Sequence, residues 1–262
     1  MRALIALAAL LGGAGIAAAE PVENNFLGSG EAPPGYLGGL GLITSLGPTG
    51  LFQNPTSGII PKQAFSVQSC MAFKENNGDH FISNGLLLTY GVTDWLEVSG
   101  FGLLASQLDL GPGNGNSLEL GQVNVRARLT RDLGGMPEIS IGGIVGFGDD
   151  PLVSHSLFLA ASKGFALSDG PAMRSIRFHG GIRQTWPDLG DDITTAFFGL
   201  ELEVLRDLYL IGEVNTRDDS FTETPWSVGL QYKSSSFGMS LAVFQAPNET
   251  EETIYVGIGV SY

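Results

Sequence analysis

Charged residues of the same parity in four stretches of the sequence are the groups best placed to do chemistry. The four stretches carry Arg126 and Arg128, Arg177 and Arg183, Glu201 and Glu203, and Glu213 and Arg217. Residues an even number apart in a β-strand point to the same face, so each pair would lie on one side of its strand. Opposite charges on neighbouring strands can then form ion pairs across the ladder. Charges that line a pore can instead select a small polar or anionic solute.

The sequence does not place a nucleophile beside a general base. His155 and Ser156 are adjacent, so their side chains would point to opposite faces of a strand. His179 falls on the same predicted face as Arg177, and acidic pairs such as Asp149-Asp150 are typical of a solvated loop. The Gly-rich stretch at 111–116 lacks the Gly-Lys-Ser/Thr and the helix of a phosphate-binding loop. We therefore expect no catalytic residue, no metal site and no cofactor.

Composition narrows the class of protein further. The 262 residues include 27 acidic and 13 basic ones, and the formal net charge is −14. An acidic chain of this kind is unsuited to nucleic acid, which requires a basic surface. Only 15% of residues are charged while 43% are hydrophobic, which argues against intrinsic disorder. A single cysteine excludes a disulfide framework.

Residues 1–19 have the features of a cleaved signal peptide. Met1-Arg2 supplies a positive charge, residues 3–18 are small and apolar, and Ala17-Ala18-Ala19 fits the cleavage site. The apolar run is interrupted by glycines and is shorter than the ~20 residues of a membrane-spanning helix. We expect export through this cleaved N-terminal signal.

Alternation of apolar and other residues predicts twelve β-strands after residue 63. In residues 253–262 the even positions are Ile, Val, Ile, Val and Tyr. Such a run matches the ~9–11 residues of a membrane-spanning strand. The predicted strands span 64–74, 80–91, 95–107, 117–130, 138–148, 155–165, 175–186, 193–205, 208–217, 225–233, 236–245 and 252–262.

These strands predict an all-β fold, a transmembrane antiparallel closed β-barrel of about 12 strands over 64–262. Barrels of 10 or 14 strands are the alternatives. Short connections such as Arg206-Asp207 alternate with longer acidic ones such as 217–224, as in bacterial outer-membrane barrels. A secreted β-sandwich would carry a charged outer face, whereas here the non-apolar face is rich in Gly and Ser. We expect an integral protein of the bacterial outer membrane, in contact with its lipid and with lipopolysaccharide.

The Pro- and Gly-rich residues 20–63 precede the predicted barrel and carry a motif. Its residues are Thr49, Gly50, Leu51, Pro55 and Thr56, followed by an apolar pair and the first strand. With the strand-turn-strand pattern at 88–100, this motif resembles YjbH-like outer-membrane β-barrel proteins. The resemblance implies a role in exopolysaccharide production or export, with polysaccharide-export proteins as partners, although this chain is far shorter than the full-length members. The stiff segment could enter the lumen as a plug or brace the rim as a periplasmic lead-in.

The last predicted strand carries a second motif. Tyr262 follows Val260 and Ile258 at alternate positions, which resembles the C-terminal signal that the barrel-assembly machinery recognises. Capture of an unpaired strand edge by strand addition gives such a signal a physical basis. An aromatic ring also suits the membrane interface, so the alternative is that Tyr262 serves stability only.

Three functions are compatible with these features. The first is a narrow conduit or accessory barrel, linked to cell-surface polysaccharide export by the resemblance. The second is a non-conducting structural barrel whose lumen is filled by side chains. A lipid-modifying enzyme of the outer membrane is a distant third, because the expected serine and histidine geometry is missing.

Overall fold

The structure is a computed structural model that describes residues 50–262. The gaps in that range are residues 77–78, 109–116, 133–134, 149–152, 168–169, 171, 189–190, 219–220, 222, 235 and 247–250. The predicted signal peptide and Thr49 lie outside the described residues.

Twelve β-strands run through the described part of the chain. They are β1 Phe65–Asn76, β2 Asp79–Thr93, β3 Leu96–Leu108, β4 Ser117–Thr130, β5 Glu138–Gly148, β6 Ser154–Ala166, β7 Ala172–Pro187, β8 Ile193–Leu205, β9 Leu208–Asn215, β10 Trp226–Lys233, β11 Phe237–Gln245 and β12 Thr253–Ser261. Each corresponds to one predicted strand. The largest difference at a boundary is three residues, at the start of β7, where 175 was expected and Ala172 is observed.

The twelve strands form one closed barrel. Each pairs antiparallel with the next in sequence, and β1 pairs with β12 from Ser66↔Ser261 to Lys74↔Thr253. Closure satisfies the ladder hydrogen bonds within the sheet, as a strand in lipid requires. The prediction of a closed antiparallel barrel of 12 strands is therefore confirmed.

The two faces of the wall differ as a transmembrane barrel requires. On β12, Ile254 and Ile258 are 49% and 50% exposed, whereas Tyr255 between them is 3% exposed. Polar side chains are buried on the inward face, as for Gln231 on β10 and Ser240 on β11. An apolar exterior around a polar interior is the pattern of a barrel that contacts lipid. No helix in the described residues is long and apolar enough to cross a membrane.

Antiparallel pairing places alternate connections at opposite ends of the barrel. The end that we call the turn rim carries the connections β2–β3, β4–β5, β6–β7, β8–β9 and β10–β11. One of its two-residue turns is Arg206-Asp207, where Asp207 adopts φ 63°. Phe65 and Tyr262 pair at the same rim, so both ends of the barrel lie there. The opposite end, which carries the other connections, is called the loop rim.

Candidate functional site in the barrel lumen

Residues 50–60, which we call the lumen segment, lie inside the barrel. Leu51, Phe52, Gln53 and Asn54 are buried, and their turn is closed by a hydrogen bond from Leu51 N to Asn54 O at 3.0 Å. Side chains or carbonyls from seven strands around the ring, β3, β4, β5, β6, β9, β10 and β11, bind this segment. The predicted motif residues Gly50, Leu51, Pro55 and Thr56 therefore lie within the lumen.

A close backbone approach at the turn rim joins the lumen segment to the wall. The Gln63 N–H donates to Gly91 O at 2.7 Å, and the Gly91 N–H donates to Ala64 O at 3.0 Å. A Cβ at Gly91 would lie 2.0 Å from Pro61 O, so only glycine leaves room for the chain to pass. Gln63 itself adopts φ 64°, which turns the chain from the lumen into β1.

One carboxylate on β9 holds the tip of the lumen segment. Oε2 of Glu213 accepts the backbone N–H groups of Phe52 and Gln53, both at 2.9 Å. Oε1 accepts the backbone N–H of Asn54 at 3.1 Å and its side-chain amide at 3.2 Å. The Ser227 hydroxyl donates to Oε2 as well. Because backbone N–H groups rather than a cation satisfy this buried charge, Glu213 is a receptor for a peptide turn.

A second carboxylate, on β3, holds the other end of the segment. The Ile60 N–H donates to Glu97 Oε2 at 2.9 Å. Oε1 of Glu97 forms an ion pair with Arg126 Nη2 at 2.7 Å. Nη1 of Arg126 in turn donates to Thr56 O at 2.7 Å. Glu97 and Arg126 are both 2% exposed, so this pair and the segment share one buried network.

A third carboxylate, at the start of β5, gathers two cations. Glu138 pairs with Arg128 at 3.3 Å and with Arg177 at 2.6 Å. The Ser57 hydroxyl donates to Glu138 Oε2 at 3.3 Å. Charged side chains of β4, β5 and β7 therefore form one network, which also binds the lumen segment through Ser57.

A serine and a histidine meet beside this network. Ser162 Oγ lies 2.8 Å from Nδ1 of the buried His179, and the same hydroxyl accepts the Ser57 N–H at 3.3 Å. Within the described residues, His179 Nε2 is buried without a hydrogen-bond partner. A catalytic triad requires a third group that orients the histidine through that second nitrogen. The contact with Ser57 instead makes the pair part of the seat of the lumen segment.

Apolar contacts complete that seat. Leu51 and Phe52 belong to a buried cluster with Cys70, Tyr209 and Tyr255. The ring centroids of Phe52 and Tyr255 are 6.4 Å apart, in an edge-to-face arrangement.

A missing side chain on β8 also shapes the seat. A Cβ at Gly199 would come within 2.4 Å of Leu51 Cδ1, so the absent side chain leaves the space that Leu51 occupies.

Most of the predicted charged side chains lie in the lumen, but several of them bind partners that are not on a neighbouring strand. The register aligns Arg177 with Glu201 across β7 and β8, as expected. The closest cation to Glu201 is Lys233 of β10, at 2.5 Å, and Glu203 accepts the Ser175 hydroxyl at 2.9 Å. Curvature of the wall brings inward side chains of non-adjacent strands together, which a flat ladder does not allow.

Arg217 is the exception, and the prediction that it joins the lumen charges is wrong. β9 ends at Asn215, and the Arg217 side chain is exposed beyond it. Its Nε donates to Phe221 O at 2.9 Å within the connection to β10.

Among the described side chains, three charged residues of the lumen were missing from the predicted cluster: Glu97, Glu138 and Lys233. Each shares its parity with buried polar neighbours, such as Ser99 beside Glu97 and Ser140 beside Glu138. That parity is the signal that could have found them. Glu97 and Glu138 lie close to the strand starts, where the alternation has only begun.

A cavity of about 190 Å³ lies between the tip of the lumen segment and the loop rim. Its lining includes Gln53, Gln122, Arg183, Asn215 and Phe221. Nη1 of Arg183 is buried without a hydrogen-bond partner among the described residues. The predicted lumen cation Arg183 thus lines this cavity and forms no ion pair with a carboxylate of the described residues.

Solved structures with a similar fold are bacterial outer-membrane barrels. The fold is that of an outer-membrane β-barrel. A KdgM porin matches with a TM-score of 0.53 and 10% identity over 75% of this chain and 99% of that chain. A KdgM porin in complex with disordered oligogalacturonate matches with a TM-score of 0.50 and 10% identity over 76% and 99%. At this identity the match describes architecture only. Omp33 of Acinetobacter baumannii gives a TM-score of 0.47 and 10% identity over 77% and 99%.

No protein-family model and no curated protein matches the sequence. Within the described residues, no group of three or more His, Cys, Asp or Glu side chains could hold a metal ion.

Proposed function

We propose that the protein is a narrow conduit of the bacterial outer membrane for small polar solutes, closed by its own lumen segment. The observation that carries this proposal is the nature of the obstruction. One contiguous stretch, residues 50–60, fills the centre of the barrel and is bound there mainly through its backbone N–H groups and carbonyls.

An obstruction of this kind can leave without damage to the wall. The lumen segment contributes no strand to the barrel, whose ladder closes through β1 and β12. Barrels of eight strands are just filled by their side chains, while those of 16–18 strands enclose an aqueous channel. A barrel of twelve strands lies between these sizes, so departure of the segment opens a narrow polar passage.

The structural similarity to KdgM porins supports a conduit over an enzyme. The matched KdgM porin has been solved in complex with oligogalacturonate, an acidic saccharide. We extend the proposal to a solute of the cell surface, in line with the polysaccharide role that the YjbH-like motif implies. Polysaccharide-export proteins, lipopolysaccharide and the barrel-assembly machinery are the partners that this proposal includes.

A non-conducting structural barrel is the second candidate. The buried ion pairs Arg126–Glu97 and Arg177–Glu138, with the apolar cluster around Phe52, favour it because they fill the lumen with well-packed groups. In that case the segment would be a permanent part of the core.

Conductance across a planar bilayer distinguishes the two candidates. The refolded wild-type barrel should open rarely, whereas a variant that lacks residues 50–60 should show discrete, frequent conductance steps. If the deletion does not refold, Glu213→Gln provides the same test with the chain intact. A folded deletion variant that stays silent would overturn the conduit and establish the structural barrel.

A further inference from the structure

We propose that the cavity above the lumen segment is a binding site for a small hydroxylated carboxylate, such as a sugar acid. This inference rests on the proposed conduit, because it names the class of solute that the passage would admit. The site lies on β4, β7 and β9 at the level of the tip of the lumen segment.

The unpartnered atoms around the cavity define the chemistry of the ligand. Nη1 of Arg183 is a buried donor without an acceptor, while Oε1 of Gln122 and Oδ1 of Asn215 are buried acceptors without a donor. These statements hold for the described residues. Buried polar groups in native proteins nearly always have partners, so three orphans around one cavity indicate a site for a polar ligand.

The signs of these groups favour a carboxylate that also carries hydroxyl groups. A guanidinium binds a carboxylate through charge-assisted hydrogen bonds. Neutral amide oxygens suit hydroxyl donors, whereas an ammonium group would be better served by a carboxylate. The Glu213 carboxylate, which could have filled that role, is already occupied by the backbone of the lumen segment.

The rest of the lining fits a small ring compound. Phe221 and Phe244 give the cavity an apolar side, opposite in character to its amide and guanidinium groups. Sites for small molecules combine an apolar lining with a few polar groups that fix orientation. At about 190 Å³ the cavity is smaller than the ~300–1,000 Å³ of sites for drug-sized ligands, so it suits a single small unit.

Arg183 is a cation in a chain whose formal net charge is −14. The chain carries 27 acidic and 13 basic residues, and such a surface repels anions in general. Among the inward arginines, Arg126, Arg128 and Arg177 are each paired with a carboxylate. Among the described residues, no carboxylate forms an ion pair with Arg183 and its Nη1 has no hydrogen-bond partner, so we assign this charge to the ligand.

Equilibrium binding to the refolded barrel in detergent tests the site. Saturation-transfer NMR titrations use glucuronate and glucose, which have the same ring and differ in one carboxylate. Wild type should bind glucuronate more tightly than glucose. Arg183→Gln should weaken glucuronate about tenfold, the loss expected when a charge-assisted hydrogen bond is removed. Arg206→Gln, at an exposed position on the turn rim, is the matched control and should leave affinity unchanged.

Folding of each variant is checked by its heat-modifiable mobility on a gel. If Arg183→Gln fails to fold, Gln122→Leu replaces it and should weaken both sugars by removing a hydroxyl acceptor. Equal affinities for glucuronate and glucose in wild type, or equal glucuronate affinities in wild type and Arg183→Gln, would overturn the site. The titration does not require a solute to pass through the barrel. Loss of binding in a barrel that conducts therefore refutes only this site. Binding to a barrel that never conducts refutes only the conduit.

Discussion

Replacing Glu213 with glutamine will release the lumen segment from the barrel wall. The substitution keeps the shape of the side chain but removes its charge and turns one oxygen into an NH₂ donor. In either orientation of the amide, that donor faces N–H groups that Glu213 now accepts. Oε1 accepts two hydrogen bonds from Asn54, and Oε2 accepts three, from Phe52, Gln53 and Ser227.

The magnitude follows from the bonds that must be lost. At least two of the five hydrogen bonds disappear, and each bond to a charged group contributes about 1.5–3 kcal/mol. Since such contributions are not additive, we take the lower end, about 3 kcal/mol for the pair. At about 1.4 kcal/mol per tenfold change, the ratio of released to bound segment should rise roughly 100-fold.

The single cysteine of the chain supplies the assay. Cys70 faces the lumen and is buried in the same cluster as Phe52 and Tyr255. Reaction with a water-soluble thiosulfonate reagent requires the segment to leave first, so its rate reports the released population. In Glu213→Gln the rate should increase roughly 100-fold, in proportion to that population.

Glu203→Gln is the matched control for this experiment. Glu203 is also an inward carboxylate, but it accepts a hydrogen bond from the Ser175 hydroxyl of the neighbouring strand. Its replacement should leave the labelling rate of Cys70 near that of wild type. Equal rates in Glu213→Gln and wild type, in barrels shown to be folded, would refute the account of Glu213 as the anchor.

Three further predictions address other contacts. Gly199→Leu should displace the lumen segment at a cost of about 1–3 kcal/mol and speed the labelling of the cysteine, whereas Gly212→Leu, whose added Cβ meets nothing within 4 Å, should not. Glu97→Gln should lower the free energy of unfolding in urea by about 3–5 kcal/mol, because it removes the carboxylate that neutralises the buried Arg126; a change below ~1 kcal/mol would contradict the ion pair. Deletion of Tyr262 should sharply reduce membrane insertion in cells while detergent refolding stays nearly intact, and equal losses in both assays would assign it to stability alone.

The strands were predictable because a wall between lipid and lumen forces period-2 alternation. β4, β5 and β8 begin and end at the predicted residues. The same alternation correctly turned Arg126, Arg128 and Glu213 inward. The alternation gave a wrong prediction for Arg217. This residue shares its parity with Glu213 and Asn215, but β9 ends at Asn215, so parity no longer determines which way the side chain points.

The partners of the inward charges could not be read from the sequence. Glu138 binds Arg177 of β7, two strands away, because the curved wall brings their side chains together. The position of Phe52 is equally hidden, since a segment held by its backbone shows no periodicity. That contact is found only in the structure, where the Glu213 carboxylate accepts the backbone N–H groups of the turn.

The pairing of β1 with β12 constrains the order in which the molecule is assembled. Phe65 and Tyr262 exchange backbone hydrogen bonds of 2.9 Å in both directions, which joins the first strand to the last. The lumen segment is tethered to β1 by only residues 61–64. Once the two strands zip together, a chain on the outside would have to cross a continuous ladder in lipid. The segment must therefore already lie inside when the ring shuts, or thread in along the barrel axis from the turn rim afterwards. Any later excursion follows that same axial path, so the tether limits both the length and the direction of its travel.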